Sequence, residues 1–129
     1  MNYVTDTHAL LWWFTDSPKI GPEAAHLYEK CERGETVIFI PTIVMAEALS
    51  IFERRRIPFD FKKLFKKIRD SENYALVALD YPVLREMIDL KDVPELHDKI
   101  IVATALYMGL PLITTDKTIQ NLSYVKTIW

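Results

Sequence analysis

Four carboxylates stand where this sequence could use them together: Asp6, Glu47, Asp98 and Asp116. Asp6 directly follows the strand-like Tyr3-Val4-Thr5. Asp116 comes two residues after Thr114, at the end of the strand-like Pro111-Leu112-Ile113-Thr114. Glu47 falls about two turns into a helical stretch from Pro41 to Phe52, with Ile43, Val44, Ser50 and Ile51 as its same-face neighbours. That is largely the stripe such a helix turns toward a core. A bare carboxylate there is costly unless it is protonated, paired or bound to a cation. Asp98 opens a helical pattern running to Met108 and shares a face with Ile101 and Val102.

Taken singly, Asp6, Asp98 and Asp116 also suit helix N-caps, a role worth about 1 kcal/mol. Glu47 has no such role, and an ion pair is its competing use. Asp80 follows a strand-like run too, so the set carries the reading rather than any member. Four ionised carboxylates about 5 Å apart repel by roughly 3 kcal/mol per pair at an effective dielectric near 20. A divalent cation offsets that cost, and all-oxygen donors favour Mg²⁺ or Mn²⁺. Zinc is disfavoured: Cys31 is alone, and His8, His26 and His97 are scattered. Cys31 reads as structural, and His8 and His97 as structural or peripheral. A carboxylate-held cation serves phosphoryl chemistry. The only glycines are Gly21, Gly34 and Gly109, so no phosphate-cradling loop exists and nucleoside triphosphates are disfavoured. Hydrolysis of a phosphodiester is the best match.

The elements that must position these acids alternate between strand and helix. Strands are expected at 3–5, 36–40, 75–79, 111–114 and 125–128. Helices are expected at 8–14, 22–32, 41–52, 60–70, 82–90 and 98–108. The strand runs are continuously apolar, as in a parallel sheet buried on both faces. The rhythm implies an α/β fold, a three-layer sandwich, and its ligand site belongs outside the carboxyl ends of the strands. One domain over residues 1–129 is expected. Half the residues are hydrophobic and 26% are charged, an ordinary globular balance. With no secretory pattern, no span-length apolar run and one cysteine, a cytoplasmic location fits.

The net charge of -2 conceals an asymmetry. Arg54, Arg55, Arg56, Lys62, Lys63, Lys66, Lys67 and Arg69 face only Asp60 within their stretch, which leaves the rest of the chain strongly acidic. The basic arm reads either as a polyanion contact or as a solvated face, with Phe61, Leu64, Phe65 and Ile68 packed beneath it.

The blocks Tyr3–Trp13, Pro41–Glu47, His97–Ala105 and Leu110–Asp116, with the ending Val125–Trp129, carry a resemblance. The chain resembles the PIN-domain ribonucleases, among them the VapC-like toxins of bacterial and archaeal toxin–antitoxin pairs. The resemblance spans nearly the whole chain. It implies a mostly parallel five-stranded sheet flanked by helices and a Mg²⁺- or Mn²⁺-dependent endoribonuclease. It makes Asp6 and Asp98 the most direct metal ligands, with Glu47 and Asp116 completing the cage. It also makes Thr114 a hydroxyl near the metal that orients water or phosphate. It implies an RNA substrate, a homodimer and a small antitoxin partner. Glu95 and Lys99 depart from the family pattern of Asp and Arg at those places. A PIN-like RNA-processing nuclease is one alternative. A non-catalytic RNA- or protein-binding module is another, with Trp12-Trp13-Phe14 and the basic helix as its surface, although core packing is the favoured use of those aromatics. A phosphoaspartate receiver or related phosphatase is disfavoured, because Glu47 and Asp98 come from helices.

Overall fold

Short strands and helices alternate through residues 1–129, all of which the computed structural model describes. In order they are β1 (Tyr3–Thr5), α1 (Thr7–Phe14), α2 (Pro22–Glu32), β2 (Ile38–Pro41), α3 (Thr42–Arg55) and α4 (Phe61–Asp70). Then come β3 (Tyr74–Val77), α5 (Tyr81–Ile88), α6 (Leu96–Met108), β4 (Leu112–Ile113), α7 (Lys117–Gln120) and β5 (Thr127–Ile128). The five strands form one sheet in the order β3-β2-β1-β4-β5, and every pairing is parallel. The expected sheet and its flanking helices are thus present.

The order carries information. From β1 the chain steps outward to β2 and β3, then returns across the sheet to β4 and β5. The direction of winding reverses between β1 and β4, and in open α/β sheets the ligand crevice forms at such a switch point. The central strands are fully buried: Val4, Ile38, Ile40, Leu112 and Ile113. α6 packs on β1, β2 and α3 with Ile101, Val102, Ala103 and Ala105 turned inward. It ends where Gly109 takes the left-handed conformation (φ +65°) that glycine adopts at little cost.

Several boundaries differ from expectation for local reasons. β2 starts two residues later than expected, because Thr36 spends its hydroxyl on the carbonyl of Met1 and its own carbonyl on Asn73. β3 begins at Tyr74 and ends at Val77. As an edge strand it leaves Leu76 exposed, so it is not buried on both faces as expected. α6 is opened not by Asp98 but by Glu95, whose carboxylate accepts from the Asp98 N–H at 2.7 Å. Asp98 therefore lies in the first turn. Glu47 also differs: the core stripe of α3 is Val44, Met45, Ala48, Ile51 and Phe52, and Glu47 borders it with a quarter of its side chain exposed. α7 is a single turn whose start is capped by Asp116.

Trp12, Trp13 and Phe14 pack against the core. Trp13 stacks on Tyr28, Phe14 meets Tyr28 edge-on, and Trp12 meets Trp129 edge-on. Cys31 is buried with its thiol on the Asn73 carbonyl, a structural place. Phe65 does not join Leu64 and Ile68 in the core; it is 45% exposed.

Candidate active site

Asp6 sits at the end of β1 because Thr5 pairs with Ile113 of β4, which sets Asp6 beside Thr114 across the switch point. The Asp6 backbone N–H donates to the Ile113 carbonyl. The residue is only 7% exposed, with both carboxylate oxygens engaged. Oδ1 accepts from the Ala9 N–H at 2.9 Å, capping α1. Oδ2 accepts from the Thr114 hydroxyl at 2.5 Å. The Thr114 Oγ1 in turn accepts from the Asp116 N–H at 3.0 Å. Asp116 Oδ1 accepts from the Ile119 N–H at 3.0 Å, capping α7. Thr114 is therefore a fully buried link between two acids, and both acids are caps as well as cleft residues.

The other two acids come from helices. Glu47 accepts from the hydroxyl of Thr7 through Oε1. Its Oε2 lies 3.4 Å from His97 Nδ1, which also meets Glu95 Oε1 at 2.9 Å. No lysine or arginine pairs with Glu47; its one ion-pair partner is His97, which carries charge only when protonated. Asp98 uses its N–H on Glu95, and its carboxylate has no hydrogen-bond donor from the protein.

All four acids line one open cleft of about 280 Å³, together with Thr7, His8, Trp12, Ile101 and Thr115. The electrostatics reflect that company. Burial pushes the Asp6 carboxyl up to about 6, against the hydrogen bonds from Thr114 and Ala9 that pull it down. Asp98 is also pushed up to about 6, first by burial and then by the charges of Asp116, Glu95, Glu47 and Asp6. Both shifts favour holding a proton or accepting a cation.

No three His, Cys, Asp or Glu side chains stand close enough to hold one metal ion in this arrangement. Each of Asp6 and Asp116 commits an oxygen to a helix cap, and un-neutralised carboxylates stay apart. The donor set still fits a hard cation in kind: oxygen only, from four segments, with Asp98 unpartnered. His8 lines the cleft with its ring against Trp12, while His97 acts from outside through Glu47. Sequence reasoning did not single out Thr7 or Thr115. Their signal was adjacency, since each lies beside a predicted acid.

A family model described as the PIN domain matches residues 3–123. Among solved structures, VapBC2 from Rickettsia felis bound to a promoter DNA fragment is similar at 12% identity and TM-score 0.75, covering 99% of this chain and 98% of that one. A toxin–antitoxin complex from Klebsiella pneumoniae is similar at 18% identity and TM-score 0.71, covering 98% and 96%. The PIN domain endonuclease Utp24 is similar at 15% identity and TM-score 0.51, covering 98% and 82%. These likenesses concern the fold. No curated sequence matches the chain.

Proposed function

The chain belongs to the PIN domain family, and from that premise we propose that it is a Mg²⁺- or Mn²⁺-dependent endoribonuclease, the toxin of a toxin–antitoxin pair. One observation carries the reading: acids from four distant segments line a single cleft at the switch point of the sheet. The Klebsiella complex and Utp24 share the fold and are a toxin–antitoxin assembly and an endonuclease.

Asp6 and Asp98 are the direct ligands in this reading, with Glu47 and Asp116 completing the cage directly or through water. A bound divalent ion would polarise the scissile phosphate and make an attacking water more acidic. Thr114 fixes the Asp6 carboxylate, so one wall of the cleft is set before RNA arrives. Thr7 and His97 hold Glu47 at the rim. Glu47 or Asp116 takes the proton from water as it attacks in line, leaving a 5′-phosphate and a 3′-hydroxyl. The partners are RNA, a small antitoxin and a second copy of the chain. The exposed apolar side chains of Leu76, Leu79, Tyr81, Leu84 and Ile88 offer area for a protein contact. A cytoplasmic place suits these partners, and no helix is long and apolar enough to cross a membrane.

Purified protein incubated with RNA tests this directly. Cleavage that needs Mg²⁺ or Mn²⁺, stops with chelator and disappears in Asp98→Asn supports it. Cleavage that survives both chelator and that substitution ends it. The spread of the four carboxylates favours a second reading, a non-catalytic binding module. Calorimetry with Mn²⁺ separates the two: the nuclease takes up the ion in the cleft and the module does not.

A further inference from the structure

Given the reading that the cleft acts on RNA, we propose that the outward face of α4 docks single-stranded RNA, with Lys62, Lys66 and Arg69 on phosphates and Phe65 stacked on a base.

α4 turns Leu64 and Ile68 into the core, at 4% and 2% exposure. Positions three and four apart share a face, so Lys62, Phe65, Lys66 and Arg69 form one outward line. Of the eight cations between Arg54 and Arg69, only Lys67 and Arg69 are in ion pairs, with Glu32 and with the adjacent Asp70. Surface pairs of that kind are worth little and exchange readily for phosphate. Lys62 and Lys66 have no acidic partner. Between them a phenylalanine ring is left 45% in water. Alternating cations and an exposed aromatic are what a flexible strand with splayed bases can use, through backbone charge and ring stacking. An acidic protein segment would use the charges and leave the ring idle.

The face is also held rigidly. Phe52 of α3 stacks on Phe59 with ring centroids 4.7 Å apart and meets Phe61 edge-on at 6.0 Å. Lys67 ties α4 to α2 through Glu32 at 2.6 Å. Arg54 lies seven residues beyond Glu47 on the same stripe of α3, about 10 Å along the axis. Arg54 is exposed and in no ion pair.

The test is binding of a fluorescent single-stranded RNA to the full chain in chelator, where no hydrolysis is expected, across a salt titration. Lys62→Gln with Lys66→Gln should flatten the dependence of log affinity on log salt by about 1.4, since each single-strand phosphate contact contributes about 0.7. Phe65→Ala should weaken binding about tenfold with the salt slope unchanged, and Phe65→Trp should restore it. Duplex RNA of the same length should not respond to Phe65→Ala. Lys30→Gln with Lys126→Gln should change nothing. The proposal is overturned by an unchanged slope in the double lysine variant. It is equally overturned if Phe65→Ala weakens single strand and duplex alike, or if polyglutamate displaces the RNA as well as an RNA competitor does. Because binding is read without cleavage, an inactive cleft with the expected binding would sink only the nuclease reading. Normal cleavage with unaffected binding would sink only this one.

Discussion

Asp6 and Asp98 face the same cleft and both carboxyls are pushed up to about 6, yet the two walls they represent are built differently. The sheet wall is fixed by hydrogen bonds. Asp6, Thr114 and Asp116 form a chain of donors and acceptors ending in two helix caps, and Asp6 and Thr114 are almost out of water. The helix wall is shaped by charge. Asp98 has no protein donor on its carboxylate, and after burial the main influences on it are four neighbouring carboxylates. The sheet wall supplies preset geometry. The helix wall supplies negative charge that a ligand can relieve.

The largest test of that difference is Asp98→Asn. Cleavage should fall by about a thousandfold, the order seen when one electrostatic stabiliser of a transition state is lost. The melting temperature should hold or rise, because the repulsion disappears with the charge. Retained cleavage, or a large fall in melting temperature, would show that Asp98 belongs to the structural wall after all.

The pH dependence of stability comes next. Between the ordinary Asp value of 3.8 and about 6, the folded chain keeps protons at Asp6 and Asp98 that the unfolded chain has released. Stability is therefore fullest below that window and falls as pH rises through it. The loss from Asp6 alone should be about 3 kcal/mol. Denaturant titrations across the window measure it. Adding Mn²⁺ at pH 7 should restore stability, since the ion takes the place of the protons; a flat profile with no response to Mn²⁺ would remove the electrostatic account of the cleft.

Thr114→Val probes the fixed wall. It keeps the shape but removes the donor to Asp6 and the acceptor of the Asp116 N–H, at a cost of about 2 kcal/mol. Asp6 should then titrate higher still, as seen by NMR of its carboxyl. A neutral outcome would mean that the buried link is incidental. The smallest effect is expected at His97→Gln, which loosens Glu47 at an exposed site and should change stability by about 0.5 kcal/mol or less. A loss comparable with Thr114→Val would place His97 among the fixed parts.

Much of this was legible in the chain. The apolar runs at Tyr3–Thr5 and Pro111–Thr114 announced strands, and the Asp beyond each marked the carboxyl edge. Asp6, Glu47, Asp98 and Asp116 do line one cleft. The roles within the set were less legible. Helical periodicity put Glu47 on the core stripe, but three- and four-residue spacing cannot tell the centre of a buried face from its border. Asp98 seemed to open α6 because Asp is a good cap, while Glu95, three residues earlier, outcompeted it for the free N–H groups. Phe65 fitted an apolar spacing but had no neighbour to cover it.

The sequence by itself determined the alternation of elements, the parallel sheet and the identity of the acids, because hydrophobic period and residue chemistry are local properties. Only the tertiary structure decided that the reversal of winding falls between β1 and β4, that Thr114 joins Asp6 to Asp116, and that α4 presents a phenylalanine among free lysines. Those facts depend on pairings between residues as many as 108 positions apart, and no local pattern encodes which distant group will fill the space beside a side chain.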